Sequence, residues 1–466
     1  MRRDAKYSKL RRMTTPIYDF VKKYAESKTT RFHMPGHKGV GQLGCEMYDI
    51  TEVKGADVLY SAEGIIEESE NNLTELYDTG HSFYSTEGST LAIKAMLAIV
   101  TADRKEGERP IILASRNAHV SFIHAAAMLD IDVLWMQYNE QIHLCSGTIY
   151  PRDVQTGVEN LGKIPTAVYI TSPDYLGNMT NIETIFRYCR WLKIPIIVDN
   201  AHGAYLKFLK TDFHPIALGA AMCVDSAHKT LPVLTGGAYL HISKKYPKYI
   251  ERARGAFKLF ASTSPSYLTL ASLDLCNEML ANGYAEEIKE FEIKMEELKS
   301  KIRALGYKLN YDDLFGMNKV EPFKIAIRVG KELAEHLRSR GIEPEYSDFE
   351  YTVLMLSPRN TDEDIQRLLV ALDAYEGERC VPDPIYALPI AHEQAMTIRE
   401  ATFAPSRVIL AKNSLGRICA APLVSCPPAV PIVMSGERIT KEDIRLFKHY
   451  GIEKVSVVIE PKAKKE

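Results

Sequence analysis

Ile194-Pro195-Ile196-Ile197-Val198-Asp199-Asn200-Ala201-His202-Gly203-Ala204 is a short apolar run that stops abruptly at a carboxylate. An unbroken run of β-branched residues reads as a parallel strand buried on both faces, and α/β sheets present their ligand-binding groups at the carboxyl ends of such strands. Asp199 therefore stands at the working edge of a predicted sheet, or else caps the helix that follows. The pattern repeats outward from this strand in Ile111 to Ala114, Val133 to Met136, Ala167 to Thr171 and Met222 to Asp225, with helical stretches between them. That alternation predicts an α/β fold with a mostly parallel sheet and helices on both faces. Gly237 to Ile242 reads as an added antiparallel strand. A charged helix over Ala285 to Ala304 leads into a second α/β region, with strands at Ile325 to Val329 and Thr352 to Leu356 and a helix from Thr361 to Tyr375. The expected divisions are an N-terminal arm over 1–50 with a helix at Ile17 to Ala25, a large domain over 51–275, a small α/β domain over 276–380, and a C-terminal segment over 381–466. No internal repeat or low-complexity tract interrupts them.

Beyond the next strand lies Asp225-Ser226-Ala227-His228-Lys229-Thr230-Leu231-Pro232, followed by Thr235-Gly236-Gly237. A lysine among small and hydroxyl-bearing residues can be partly desolvated, which lowers its amine pKa and makes it a nucleophile toward an aldehyde. That chemistry is how pyridoxal phosphate is held, and an acid at the place of Asp199 can pair with the pyridinium nitrogen and keep it protonated. A phosphate cradle is offered by Ser85-Thr86-Glu87-Gly88-Ser89-Thr90 ahead of the helix-like Leu91 to Leu97. Hydroxyls and free N–H groups at a helix start bind a dianion, although Ser89 and Thr90 also suit simple capping. His119, in Ser115-Arg116-Asn117-Ala118-His119-Val120-Ser121 after the apolar Ile111 to Ala114, is placed to lie flat on the ring; a lone histidine is more often structural, and it gains weight from its company.

These residues resemble those of the fold-type I, pyridoxal phosphate-dependent ornithine/lysine/arginine decarboxylase family, in particular its shorter bacterial members. The resemblance runs from Phe32-His33-Met34-Pro35-Gly36-His37-Lys38-Gly39, similar to the family's FHxPGHK signature, through the motifs above to Glu400-Ala401, Gly416-Arg417-Ile418 and Ser435-Gly436-Glu437-Arg438. It implies an aspartate aminotransferase-like large domain and a smaller C-terminal α/β domain, with a decarboxylase-type segment at the end. It also implies that Lys229 carries the cofactor covalently, Asp199 holds the pyridinium, and His119 stacks on the ring. Ser89, Thr90 and Ser226 would contact the phosphate, with Gly88 permitting close approach. Ala201 would pack beneath the ring, His202 and His228 would line the site, and Thr263 would reach the phosphate of a neighbouring subunit. The activity implied is decarboxylation of a basic amino acid, arginine first and then lysine or ornithine, in polyamine biosynthesis. His228 or the freed Lys229 would return the proton to Cα. Asp348, Glu345, Glu400 and Glu437 are candidates to read a cationic substrate tail. Three positions depart from the family pattern: Glu87 stands where Asn or Gln is usual, Asn200 replaces an acid, and Ser425 to Pro431 replaces a Tyr-Pro-Pro-Gly-Ile-Pro-like run.

The same Asp/Lys pair also serves transamination and retro-aldol cleavage, and a regulator can keep the fold without the chemistry. The His33 to Gly39 signature and the Gly436-Glu437 tail separate decarboxylases from aminotransferases, and joint retention of Lys229, Asp199 and His119 argues against a regulator. At 466 residues the chain is long enough for a large core and more than one domain. A net charge of −2 gives no reason to expect nucleic acid or an anionic membrane as partner. Eight cysteines lie scattered without a CxxC pair or metal-like spacing, so the expectation is a reduced, metal-free cytoplasmic protein. The basic start, Met1 to Met13, lacks the apolar region of a secretory signal and reads as a solvated arm. The expected partners are a small amino-acid substrate and further copies of the chain, as a homodimer or a multiple of dimers.

Overall fold

The computed structural model describes residues 13–136, 143–310, 319–380, 392–422 and 429–460. The main sheet is built from β1 (His81–Ser85), β2 (Ile111–Ser115), β3 (Asp132–Met136), β4 (Ala167–Thr171), β5 (Ile196–Asp199), β6 (Met222–Asp225) and β7 (Ala238–Ile242). Their order is β1-β7-β6-β5-β4-β2-β3. β5 is buried along its whole length, as its unbroken Ile-Ile-Val run requires. Gly237 to Ile242 is indeed the antiparallel element: β7 runs against both β1 and β6.

The chain forms two compact units. The first comprises Met1–Val100, Ile197–Lys294 and Ser357–Arg359. Here β5 pairs in parallel with β6, Asp199 opposite Val224, while Asp225 faces Tyr239 and Ser85 faces Ala238 across β7. This register brings the carboxyl ends of β1, β5 and β6 to one edge of the sheet. Helix Gly88–Val100 leaves β1 at that edge and buries Leu91, Ile93, Met96, Leu97 and Val100. The helix predicted at Ile17 to Ala25 spans Pro16–Glu26, with Pro16 in its first turn, where a missing N–H costs nothing. Its next two N–H groups, of Ile17 and Tyr18, donate to Asp274 Oδ2 at 2.9 and 3.0 Å.

Asp274 is fully buried, and burial pushes its carboxyl up to about 7 against the hydrogen bonds from Ser69, Tyr18 and Ile17. Because the folded value lies above the unfolded one of about 3.9, the stability it contributes is present below about pH 4 and is lost as pH rises through about 7. Denaturant unfolding from pH 5 to 8 is expected to show wild type losing up to about 1.4 kcal/mol per pH unit relative to Asp274→Asn. Parallel curves for the two proteins would remove Asp274 as the source.

The second unit comprises Thr101–Ile196, Met295–Leu356 and Asn360–Glu466. β2 pairs in parallel with β3 and β4. β8 (Lys324–Ile327), β9 (Tyr346–Ser347) and β10 (Thr352–Met355) form an antiparallel sheet with β10 in the middle. β11 (Ser406–Leu410), β12 (Cys419–Ala421) and β13 (Lys454–Val458) form another with β13 central. The Val430, Ile432, Ile439, Leu446, Phe447 and Val457 side chains make the core against this last sheet. No helix among the described residues is long and apolar enough to cross a membrane.

Candidate active site

Three strand ends in the first unit carry chemistry. Asp199 closes β5, is buried, and accepts from the Ala201 N–H at 3.2 Å through Oδ1. Ser226 follows β6 and begins the single helical turn Ala227–Thr230 that carries His228 and Lys229. Lys229 Nζ donates to His202 Nε2 at 3.1 Å. The sequence reading expects a partly desolvated lysine; the chain alone leaves Lys229 exposed. Ala201 and His202 are buried beside Asp199.

His228 Nδ1 lies 2.9 Å from the Gly237 carbonyl, and since a carbonyl only accepts, Nδ1 carries the proton. Burial holds this imidazole below its ordinary range; the Gly237 hydrogen bond opposes that and the Lys229 charge reinforces it. Its Nε2 is therefore a bare lone pair near neutrality. The Gly236-Gly237 pair, singled out in the sequence without a role, is a backbone platform: Gly236 O also accepts from Gly88 N at 2.8 Å. A Cβ on Gly236, at φ +94°, would stand 2.8 Å from Thr86 O, so this approach requires glycine.

The phosphate-loop candidate lies between β1 and the helix Gly88–Val100. Gly88 takes φ +69° with open space where a side chain would be, and Ser89 and Thr90 begin the helix. Glu87 turns away from this helix start, its Oε1 accepting from Ser262 N at 2.8 Å, so the departure at 87 puts no acid in the cradle. Thr263, next to Ser262, is exposed. Asn200 is also explained: its Nδ2 donates at 2.7 Å to Asp225, a fully buried carboxylate. An acid at 200 would face that carboxylate without a donor between them.

His119 lies in the second unit. It caps helix Val120–Leu129, with Nδ1 accepting from Ser121 N at 3.1 Å and 2.6 Å from Ser121 Oγ, which fixes the ring's orientation. The turn before it is anchored by Arg116, which makes two bonds of 2.6 and 2.7 Å to Glu437 and donates to His392 Nδ1 at 2.9 Å. Val120 N donates to Ala429 O at 3.0 Å. Ala429 holds φ +53° where the family run has glycine, at a cost of about 1–2 kcal/mol. Ser425 to Pro428 lie outside the described residues.

Three of the four acids proposed to read a substrate tail are committed elsewhere. Glu437 is spent on Arg116 and the Met434 N–H. Asp348 accepts from His143, Tyr346 and two backbone N–H groups. Glu400 caps its own helix with Thr397. Glu345 accepts from the Tyr175 hydroxyl at 2.6 Å and is exposed, as is Glu400.

The Orn/Lys/Arg decarboxylase major-domain profile matches residues 15–325, which include Gly88, Ser89, Thr90, His119, Asp199, Ala201, His202, Ser226, His228, Lys229 and Thr263. The chain belongs to the Orn/Lys/Arg decarboxylase family. It is accordingly a pyridoxal phosphate-dependent amino-acid decarboxylase. It is 28% identical to the uncharacterized protein YaaO of Bacillus subtilis and 27% identical to an arginine decarboxylase of the same organism, over 93% of each chain in both cases. The solved lysine decarboxylase LdcF of Francisella novicida matches with a TM-score of 0.79 at 19% identity, covering 96% of this chain and 81% of that one.

The residues of this decarboxylase fit the cofactor. Among the described residues, the hydroxyls of Ser226 and Thr230 on either side of Lys229 are buried without a hydrogen-bond partner, a costly state that a phosphate oxygen would relieve. Ser226→Ala is expected to weaken cofactor binding about tenfold, the worth of one charge-assisted hydrogen bond. Equilibrium dialysis of pyridoxal phosphate against wild type and variant measures it, and equal affinities would exclude Ser226 from the cradle.

Proposed function

We propose that this decarboxylase converts arginine to agmatine and CO₂ for polyamine biosynthesis, with lysine and then ornithine as the next-ranked substrates. The observation that carries the ranking is co-extension: the arginine decarboxylase of Bacillus subtilis aligns over 93% of both chains. Lys229 would hold the cofactor, Asp199 its pyridinium, His119 its ring face, and Ser89, Thr90 and Ser226 its phosphate. Gly88 admits the phosphate to the backbone, Ala201 underlies the ring, and His202 and His228 line the site. Bound pyridoxal phosphate supplies an electron sink for the bond that loses CO₂. His202 receives a proton from Lys229 Nζ in a hydrogen bond and so orients that amine. With Nδ1 of His228 donating to Gly237 and Nε2 bare, the proton returned to the substrate's α-carbon comes from the Lys229 ammonium.

We place the enzyme in the cytoplasm as a homodimer or a multiple of dimers, in which Thr263 serves a neighbour's phosphate. Phe32 is 95% exposed and Leu43 85% exposed, and Met34 and Val40 are also open to solvent in the same arm segment, an apolar surface suited to a second copy.

The test is mass spectrometry of products after separate incubation with arginine, lysine and ornithine. Agmatine from arginine is the expected result. Cadaverine or putrescine instead would reassign the substrate, a keto acid would indicate transamination, and no amine from cofactor-loaded protein would sink the proposal.

A further inference from the structure

Folding assembles a donor set that the scattered cysteine spacing hides. Cys223 and Asp225 stand two apart on β6 and so share a face of the sheet. His241 lies directly opposite Cys223 on β7, and His214 enters from the loop before β6. All four are fully buried. Asp225 Oδ2 is 3.1 Å from His214 Nε2 and 3.3 Å from His241 Nε2. Cys223 Sγ is 3.6 Å from His214 Nε2 and 4.0 Å from Asp225 Oδ1. Tetrahedral zinc with bonds of about 2.0–2.3 Å sets neighbouring N and O donors about 3.3 Å apart and N and S donors about 3.6 Å apart. The His214 separations follow that pattern, and the donor atoms of His214, Cys223 and Asp225 all lie within 4.8 Å of one another.

The surroundings point the same way. His241 Nδ1 is 2.8 Å from Ser82 Oγ, itself 2.7 Å from Thr79 Oγ1, which fixes the ring and turns Nε2 to the cluster. That buried Nε2 faces Asp225 Oδ2 at 3.3 Å. Asn200 binds the other oxygen of Asp225, leaving Oδ2 between the two imidazoles.

We propose that His214, Cys223 and Asp225 form a buried site for a zinc-class divalent cation, with His241 placed against the Asp225 carboxylate. One thiolate, one imidazole and one carboxylate suit a borderline-soft ion, and His241 Nε2 stands next to that set, 3.3 Å from Asp225 Oδ2. Because every donor is buried, the ion enters as the chain folds and pins the 209–221 loop to β6, behind Ser226 and Lys229. The inference is independent of the substrate.

The test is elemental analysis of the full-length protein made in zinc-supplemented medium, alongside Cys223→Ser and His214→Ala. About one zinc per chain is expected in wild type, falling at least about tenfold in either variant. Wild type refolded with Co²⁺, and read before pyridoxal phosphate is added, is expected to show thiolate-to-cobalt charge transfer and tetrahedral d–d absorption. Folded wild type without zinc that also refolds without a cobalt spectrum would overturn the site. It would leave Asp225 as a carboxylate held between two imidazoles.

Discussion

Lys229→Ala is expected to abolish the visible absorbance of bound cofactor and to lower turnover by on the order of 10⁴-fold or more, with the fold unchanged. Loss of absorbance follows because a methyl group cannot hold an aldehyde. Loss of turnover is deeper than loss of binding alone, because the same amine is assigned the proton for the α-carbon. Integrity is expected because Lys229 is exposed and its removal opens no cavity. Ser226, Thr230 and the Gly88–Val100 helix start remain, so the variant is expected to bind pyridoxal phosphate reversibly. Absorbance, dialysis and thermal unfolding, measured together, separate these claims. Undiminished turnover would remove Lys229 from the mechanism, while an unfolded variant would mean that its turn is structural.

Glu437→Ala is expected to cost about 3–5 kcal/mol of stability. Glu437 is 2% exposed and holds Arg116 through both oxygens. Removing it takes both carboxylate bonds from a guanidinium that also contacts His392, the Ile432 carbonyl and the Trp135 ring, and it frees the Met434 N–H. An unpaired buried charge is far more costly than a missing pair. Arg116→Met combined with Glu437→Ala should therefore recover part of the loss, which denaturant unfolding of the single and double variants measures. Full activity with unchanged stability in Glu437→Ala would show that the pair is dispensable. Lost activity with intact stability would return Glu437 to the role of a substrate reader.

Strand positions were legible wherever burial on both faces left an unbroken apolar run. Ala167–Thr171, Ile196–Asp199 and Met222–Asp225 have the bounds read from sequence, and so does the charged helix Ala285–Ala304. β1, His-Ser-Phe-Tyr-Ser, is not legible, because its polar Ser82 is satisfied across the sheet by His241 and locally by Thr79. The lysine, the strand-end aspartate and the glycine loop carry local signatures and could be named in advance. The fates of Glu437 and Asp348 could not, since their partners lie 321 and 205 residues away, at Arg116 and His143. Asn200 looked like a lost acid for the same reason: its meaning lies in Asp225, 25 residues on.

The hydrogen bond from Ser262 N to Glu87 gives two surfaces a common footing. One is the loop proposed to grip this chain's own phosphate, and the other is the segment whose Thr263 is proposed to serve a neighbour. With both fixed to one carboxylate, holding a cofactor and holding a partner become linked equilibria, and each must favour the other by the same free energy. Dilution would then strip cofactor and separate subunits as one event, so the enzyme's own concentration would set how much of it is loaded.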